Sequence, residues 1–406
     1  MRCGLLGKKL GHSYSPQIHS HLGSYTYDLF EKSPDELADF LYTGDFWGLN
    51  VTIPYKKDVI PYCSELSDCA KKLGAVNTIV KKADGTLIGH NTDYFGFKAM
   101  LQKSRLQVSG KKVLVLGSGG ASATVTAVLR ELNAIVVVIS RSGENNYCNL
   151  DKNSDASVIV NTTPVGMYPN TAISPVELDL FPNLEGVLDV VYNPANTQLL
   201  LDAEKRGLVT ENGLWMLVAQ AKESAEWFTG KTISNDTIAE IHALLQRQMK
   251  NIILIGMPGS GKSTIGKLVA QKLGRTFIDA DLKIEETAGC SIPTIFAQHG
   301  EDVFRKYETD VLKELCKQSG LVIATGGGCV TRSVNYPILH QNSYIVWIKR
   351  DIKKLPTDGR PLSQQNMLEE MYRVREPMYQ SFSDVSVHND SILDDTVQIV
   401  LKEVGY

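Results

Sequence analysis

Residues Gly256-Met257-Pro258-Gly259-Ser260-Gly261-Lys262-Ser263 carry the spacing G-x-x-x-x-G-K-[ST]. Glycines at these positions let backbone N–H groups wrap phosphate oxygens. Lys262 adds a point charge, and the Ser263 hydroxyl is placed to bind Mg²⁺. Gly259, Ser260, Gly261, Lys262, Ser263 and Thr264 are therefore the expected ATP-binding residues. Downstream, Phe277-Ile278-Asp279-Ala280-Asp281 reads as a strand end with two carboxylates two residues apart. Strand residues two apart share a side. One carboxylate would then serve the Mg²⁺ shell, with Ser263 and Asp279 as the metal residues, and the other would accept a hydroxyl proton. A second glycine turn, Gly117-Ser118-Gly119-Gly120-Ala121, has the form G-x-G-G-A and suits a dinucleotide pyrophosphate at a helix N-terminus. The strand after it ends in Ser140-Arg141-Ser142. An acidic residue about 20 positions beyond such a turn favours NAD, whereas an arginine suits the 2′-phosphate of NADP, so Arg141 points to NADP.

Both turns need a strand before them and a helix after them. Lys112-Val113-Leu114-Val115-Leu116 and Asn251-Ile252-Ile253-Leu254-Ile255 supply the strands, as continuous apolar runs of the kind that parallel sheets bury on both faces. Ser122 to Leu132 and Thr264 to Leu273 supply the helices. Residues 134–139 and 156–160 read as two further strands of the first nucleotide region, and residues 213–249 as helix. The helical run ending at Met249 passes almost directly into the strand at Asn251, with no Gly/Ser- or Pro-rich linker.

The bulk properties exclude several classes. A chain of 406 residues has room for two to four domains. Hydrophobic residues at 43% and charged residues at 21% are those of a globular protein, and a net charge of −3 argues against a dominant nucleic-acid footprint. The seven cysteines are odd in number and scattered, with no C-x-x-C, so they read as reduced thiols rather than a disulfide framework or zinc site. The first nine residues lack the apolar core of a signal peptide, and no run approaches the ~20 apolar residues of a membrane span. The expectation is a cytoplasmic enzyme of small molecules, without nucleic-acid or membrane partners.

From Asn251 to about Asp390 the chain resembles shikimate kinase. The resemblance rests on the phosphate loop, Asp279-Ala280-Asp281, the run Gly300 to Glu308, Gly326-Gly327-Gly328, Arg360-Pro361-Leu362 and Arg375-Glu376-Pro377-Met378-Tyr379, in the family's order. It implies Asp281 as the base for the shikimate hydroxyl, Asp279 as a Mg²⁺ partner, and Arg305 and Arg375 as a clamp on the shikimate carboxylate, a task suited to guanidinium forks. It also implies close backbone approach to the ring at Gly326, Gly327 and Gly328, and a lid arginine, Arg360, reaching the transferring phosphoryl group.

Residues 1–249 resemble shikimate dehydrogenase. The carriers are Ser13-Tyr14-Ser15-Pro16, residues Asn50 to Lys56, Ala75-Val76-Asn77-Thr78, residues Gly89 to Asp93, residues Asn161 to Met167, residues Asp189 to Pro194, and residues Met216 to Gln220. Hydride transfer to a ketone builds negative charge on oxygen, which calls for a proton donor or an electrostatic partner. Lys56 can be both and Asp93 can hold it, and the resemblance assigns that pair the catalytic role. It further implies Ser13, Ser15, Thr52, Asn77, Tyr192 and Gln220 as substrate residues. The cofactor set is Gly117, Ser118, Gly119, Gly120, Ala121, Ser140, Arg141, Ser142, Val190 and Gly213. For Asn50 and Asn161, turn or capping chemistry and ligand contact stand equally open. Trp215 would either narrow the pocket or pack beside the cofactor. No histidine receives a role.

The expected architecture is α/β throughout. Residues 1–100 form a substrate domain completed by helices in 213–249, residues 101–212 a Rossmann-like NADP domain, and residues 251–406 a P-loop domain like the nucleoside monophosphate kinases. The expected activity is bifunctional: NADPH-dependent reduction of 3-dehydroshikimate, then ATP- and Mg²⁺-dependent phosphorylation of shikimate. Two other readings are a quinate-directed, NAD-using first half and a non-catalytic quinate or shikimate sensor. The sensor class should lack catalytic groups, whereas Lys56, Asp93, Lys262, Ser263 and Asp281 are all present.

Overall fold

A computed structural model describes the whole chain except His12, residues 356–364 and Ser391, and excepting the side chains of residues 365–367. The chain forms two compact units, Met1–Val165 with Ser174–Tyr192 and Asp202–Leu244, and Gly166–Ile173 with Asn193–Leu201 and Leu245–Tyr406.

The first unit holds two sheets. One contains β1 (Arg2–Gly7), β2 (Thr26–Glu31), β3 (Gly48–Val51), β4 (Glu65–Leu66), β5 (Thr78–Lys81) and β6 (Leu87–His90), in the order β2-β1-β3-β5-β6-β4. It is mixed: β5 runs antiparallel to both β3 and β6, and the other pairs are parallel. Leu49, Val51, Ile79 and Leu87 bury its apolar face with Leu37 and Leu41 from a short helix. The other sheet contains β7 (Lys112–Leu116), β8 (Ile135–Ile139), β9 (Val158–Asn161), β10 (Gly186–Asp189) and β11 (Val209–Asn212), all parallel in the order β11-β10-β9-β7-β8. From β7 the chain moves outward to β8, then returns to place β9 on the other flank. The carboxyl ends of β7 and β9 therefore meet at a reversal of strand order, where open α/β sheets bind ligands.

The second unit holds β12 (Asn251–Ile255), β13 (Phe277–Asp279), β14 (Val322–Ala324), β15 (Ser343–Lys349) and β16 (Val385–His388), all parallel in the order β13-β14-β12-β15-β16. Alternation divides its side chains between two cores. Ile253, Ile255, Ile323 and Trp347 face one, and Ile252, Leu254, Val322 and Ile348 the other. The segment Asn193–Leu201 joins this unit through Asn196, whose N–H donates to the Gln341 carbonyl at 2.8 Å and whose side-chain amide donates to the His340 carbonyl at 3.0 Å. These bonds satisfy carbonyls at the end of the helix Asn335–His340.

One local expectation is made specific and one changes. The helices of 213–249 are Leu214–Thr229 and Asp236–Met249, because Gly230 ends the first and Glu226 Oε1 turns back to accept the Ile233 N–H at 2.6 Å. The strand at Phe277 stops at Asp279, so Asp281 does not share a strand face with it. Asp279 instead caps the helix Ala280–Ala288 by accepting the Asp281 N–H at 3.1 Å, a bond that the short acceptor side chain makes more readily than it continues a strand. All seven cysteines are free.

Candidate active sites

In the first unit, Lys56 and Asp93 meet although 37 positions separate them. Lys56 lies in the turns that follow β3, and Asp93 opens the helix Asp93–Ser104, where the helix dipole favours a carboxylate. Lys56 Nζ donates to Asp93 Oδ2 at 2.6 Å, with the lysine side chain 26% and the aspartate 15% exposed. The pair is thus half-sheltered yet open to a ligand. The lysine backbone is itself held, since its carbonyl accepts the Val76 N–H at 2.7 Å.

Behind this pair runs a buried polar network. Asn77 Oδ1 accepts the Thr92 N–H at 2.7 Å, and Thr92 Oγ1 donates to Gln220 Oε1 at 3.3 Å. Asn50 Nδ2 donates to Ser224 Oγ at 2.7 Å, and its Oδ1 accepts from Tyr27 at 2.7 Å. Ser224, fully buried, also lies 3.1 Å from the Thr78 hydroxyl and 3.0 Å from that of Thr92. Deleting one member would strand its partners at about 1–3 kcal/mol per buried group, so the network holds Asn77, Gln220 and the start of the Asp93 helix in one geometry. Thr78, Thr92 and Ser224 carried no role on sequence grounds, and Asn50 stood open between turn chemistry and ligand contact. Only the serine's position one turn beyond Gln220 on the same helix hinted at it. Asn50 is occupied internally. Asn161 is a turn former, its Oδ1 accepting the Thr163 N–H at 3.0 Å and the Thr163 hydroxyl at 2.7 Å. Ser13 Oγ accepts the Ser15 N–H at 3.2 Å, and the Tyr14 and Tyr192 rings meet edge-on at 6.3 Å. Thr52 lies at the end of β3, its N–H donating to the Leu6 carbonyl at 2.9 Å. His19 is buried against Tyr27, stacked at 3.9 Å, and burial lowers its pKa to about 3, so it is a neutral packing group.

The dinucleotide-type turn follows β7. Gly117 has φ +103°, and a Cβ there would lie 2.9 Å from both Thr162 Oγ1 and Thr163 Cγ2, so only glycine lets β7 and β9 end this close together. Ser118, Gly119 and Gly120 are exposed at the start of the helix Gly120–Glu131, and a side chain at Gly119 or Gly120 would meet nothing within 4 Å. Ala121 follows in the first helical turn. This leaves open space before unsatisfied helix N–H groups, which fits a pyrophosphate. Arg141 is exposed beyond β8 beside Ser140 and Ser142. Val190 and Gly213 pack against each other, with the Gly213 N–H donating to the Val191 carbonyl at 3.0 Å. Trp215 packs edge-on against His242 at 5.2 Å beneath the Lys103 ammonium at 4.6 Å, which accounts for its size by helix packing.

In the second unit a cavity of 710 Å³ gathers the phosphate loop and the carboxylates. Lys262 Nζ donates to the carbonyls of Gly256 at 3.0 Å and Met257 at 2.9 Å, and Ser263 Oγ donates to Asp279 Oδ2 at 2.6 Å. Ser260, within the loop, is fully buried and is not among the residues that line the cavity, whereas Thr264 lines it with Gly259 and Gly261. Asp281 faces the same space. Burial raises its pKa, reinforced by Asp279 and opposed by Lys262 and Arg305, and its Oδ1 has no hydrogen-bond partner among the described residues.

Arg305 follows Gly300, where the helical stretch Ile292–Cys316 is interrupted. Its guanidinium meets Glu308 Oε2 at 2.8 Å and Glu301 Oε1 at 3.0 Å. Glu301 and Glu308 were missed as site residues. Their spacing, four before and three after Arg305, was the available signal, because those offsets share a helix face. Glu308 is buried, and desolvation raises its pKa against the pull of Arg305. The three glycines after β14 make room for this cluster. A Cβ on Gly326 would lie 2.6 Å from Asp281 Oδ1 and one on Gly327 2.6 Å from Pro258, while one on Gly328 would overlap the Arg305 guanidinium. Their smallness therefore admits protein side chains before any ligand. Arg375 Nη1 donates to the Gly327 carbonyl at 3.2 Å, on the same wall. Arg360 lies outside the described residues.

Comparisons with known proteins agree with this division. The family model of the shikimate dehydrogenase substrate binding domain matches residues 5–79, and that of shikimate kinase matches residues 258–404. The NADP(+)-type shikimate dehydrogenase of Clostridium perfringens (strain 13 / Type A) is 36% identical over 265 residues, 60% of this chain and 97% of its own length. Among solved structures, a chorismate mutase/shikimate 5-dehydrogenase fusion protein from Clostridium acetobutylicum is 37% identical, with a TM-score of 0.58 over 60% of this chain and 97% of that one. The shikimate 5-dehydrogenase of Thermus thermophilus, solved in complex with NADP(H) and shikimate, is 30% identical, with a TM-score of 0.55 over 60% and 98% of the two chains. With the lysine–aspartate pair in one unit and the phosphate-loop cavity in the other, the chain belongs to the shikimate dehydrogenase family and continues, in the same polypeptide, into a shikimate kinase domain.

Proposed function

We propose that the chain reduces 3-dehydroshikimate to shikimate with NADPH and then phosphorylates, with ATP, the hydroxyl that the first step creates. The observation that carries this reading is that one polypeptide holds both a Lys56–Asp93 pair at 2.6 Å and a cavity in which Lys262, Ser263, Asp279, Asp281, Arg305 and Arg375 converge. In domain terms, residues 1–100 with the helices of 213–249 bind the ring, residues 101–212 bind the dinucleotide, and residues 251–406 form the kinase. Because the two reactions are consecutive, fusion raises the local supply of product to the second site.

In the reductase, NADPH supplies hydride when bound along Gly117 to Ala121. Lys56 donates a proton to the ketone oxygen, or holds the charge developing there, while Asp93 keeps the ammonium aimed. Ser13, Ser15 and Thr52 take the substrate carboxylate, and Asn77, Tyr192 and Gln220 take the ring hydroxyls. In the kinase, Asp281 accepts the hydroxyl proton, a role suited to a carboxylate whose proton affinity burial has increased. Arg305, already braced by two glutamates, and Arg375 hold the ring carboxylate, and Arg360 reaches the phosphoryl group. A Mg²⁺ ion fits the hard-oxygen pair of Ser263 and Asp279, whose own bond of 2.6 Å shows them side by side. The ion would neutralise phosphate charge.

Arg141 sets the cofactor choice on this reading. Arg141→Ala is expected to raise KM for NADPH by about 10–100-fold, the scale of a lost charge-assisted contact, and to leave KM for NADH nearly unchanged. Equal losses for the two cofactors would refute the assignment and reopen the NAD-linked, quinate-directed alternative. The whole reading is tested by one incubation with 3-dehydroshikimate, NADPH, ATP and Mg²⁺, for which the expected product is shikimate 3-phosphate. Accumulation of shikimate with ATP unconsumed would remove the second activity.

A further inference from the structure

Arg350 directly follows β15, the strand that pairs with β12 through Ile255 and Trp347, and so stands at the carboxyl edge beside the strand that launches the phosphate loop. Its side chain lines the 710 Å³ cavity together with Gly259, Gly261, Lys262 and Ser263. Nη1 donates to the Gly259 carbonyl at 3.2 Å, which ties the guanidinium to the loop. Nε is buried and finds no acceptor among the described residues. Arg350 also makes no ion pair among them, unlike Arg305, whose guanidinium is shared by Glu301 and Glu308. A guanidinium stays charged at every accessible pH. Sheltering it with an unused donor and no counter-charge is costly unless an anion arrives to take both. The part of the wall beside it is the phosphate loop with Lys262, at the start of a helix, which is a setting for negative charge, while the carboxylates Asp279, Asp281, Glu301 and Glu308 also line the cavity.

We propose that Arg350 is a nucleotide-binding residue of the kinase, which contacts the polyphosphate of ATP alongside Lys262 and braces the loop through Gly259. The inference rests on reading this cavity as the ATP site. Its particular content is a protein cation on the phosphates additional to Lys262 and Arg360, from a strand end that the phosphate-loop motif does not include.

The test compares Arg350→Gln and Arg350→Lys with the unaltered full-length protein. Glutamine can still donate to the Gly259 carbonyl but carries no charge, and lysine keeps the charge without the fork. For Arg350→Gln, KM for ATP and Kd for ADP are expected to rise about 10–100-fold, the range for one charge-assisted contact. KM for shikimate and inhibition by adenosine should hold within about twofold, and ketone reduction by the same chain should be unaltered. Arg350→Lys should recover part of the loss. Unaltered ADP affinity in Arg350→Gln would overturn the inference. Equal losses for ADP and adenosine would also overturn it by placing the side chain on the base, and equal losses for ADP and shikimate would do so by marking a general disturbance of the loop. If the unaltered protein bound neither ATP nor ADP, the reading of the cavity itself would fail, an outcome that the variants alone cannot imitate.

Discussion

Replacing Lys56 by alanine is expected to lower ketone reduction by about 10²–10⁴-fold, the usual contribution of a positioned acid–base group, while ATP-dependent phosphorylation continues at the original rate. The loss should fall mainly on kcat, because the charge that the ammonium meets exists chiefly in the transition state. Asp93→Asn tests the partner role. The 2.6 Å contact that aims the lysine would lose its ion-pair partner and become an ammonium–amide bond, so a smaller loss is expected than for Lys56→Ala. Steady-state rates of NADPH oxidation and of ADP release on one preparation measure both activities together. If Lys56→Ala kept full reductase activity, the proton donor would have to be sought elsewhere. If it silenced both activities with the fold intact, the two-site account itself would be lost.

Lys262→Ala should produce the opposite pattern, with phosphorylation reduced by about 10²–10³-fold and ketone reduction untouched. The buried ammonium is held by the Gly256 and Met257 carbonyls and so waits in the loop for phosphate. The same cavity predicts a pH signature. Asp281 must be ionised to accept the hydroxyl proton, and burial together with Asp279 raises its pKa. As pH falls through that raised value the base is protonated, so the acid limb of kcat should lie above the ordinary carboxylate pKa of about 3.9. Lys262 is one of the charges that hold the Asp281 pKa down, so in Lys262→Ala the limb of the residual activity should move further up. A limb that stayed in the ordinary carboxylate range would take the base role from Asp281.

How much was legible in advance differs between the two sites. A phosphate-binding turn is written in consecutive residues, because one backbone segment does the work. Gly117 to Ala121 and Gly256 to Ser263 therefore stood out, along with the apolar strands β7 and β12 that the sheets bury. Asp279 and Asp281 were recognised as a pair, but their placement was misjudged. Strand alternation suggested a shared face, whereas the Asp279 side chain caps a helix and brings Asp281 into its first turn. Both carboxylates still line the cavity, by a route that local periodicity does not reveal. Glu308 illustrates another limit. Its spacing from Arg305 was visible, but a helix surface offers many such pairs, and only burial shows that this one has lost its water.

From residue types and spacing alone came the two nucleotide turns, the parallel α/β class around each, the candidate arginine for a 2′-phosphate, and the expectation of reduced thiols. Each of these depends on neighbours along the chain. Tertiary structure decided what distant segments do together. It brought Lys56 to Asp93, tied Asn50, Thr78 and Thr92 to Ser224 from the helix Leu214–Thr229, used Gly326 and Gly328 to clear space for Asp281 and Arg305, and left Arg350 against the phosphate loop with no carboxylate partner among the described residues. The physical reason is that turn geometry and strand burial are set by the backbone of a few successive residues, whereas desolvation and side-chain pairing depend on which surfaces the folded chain presses together.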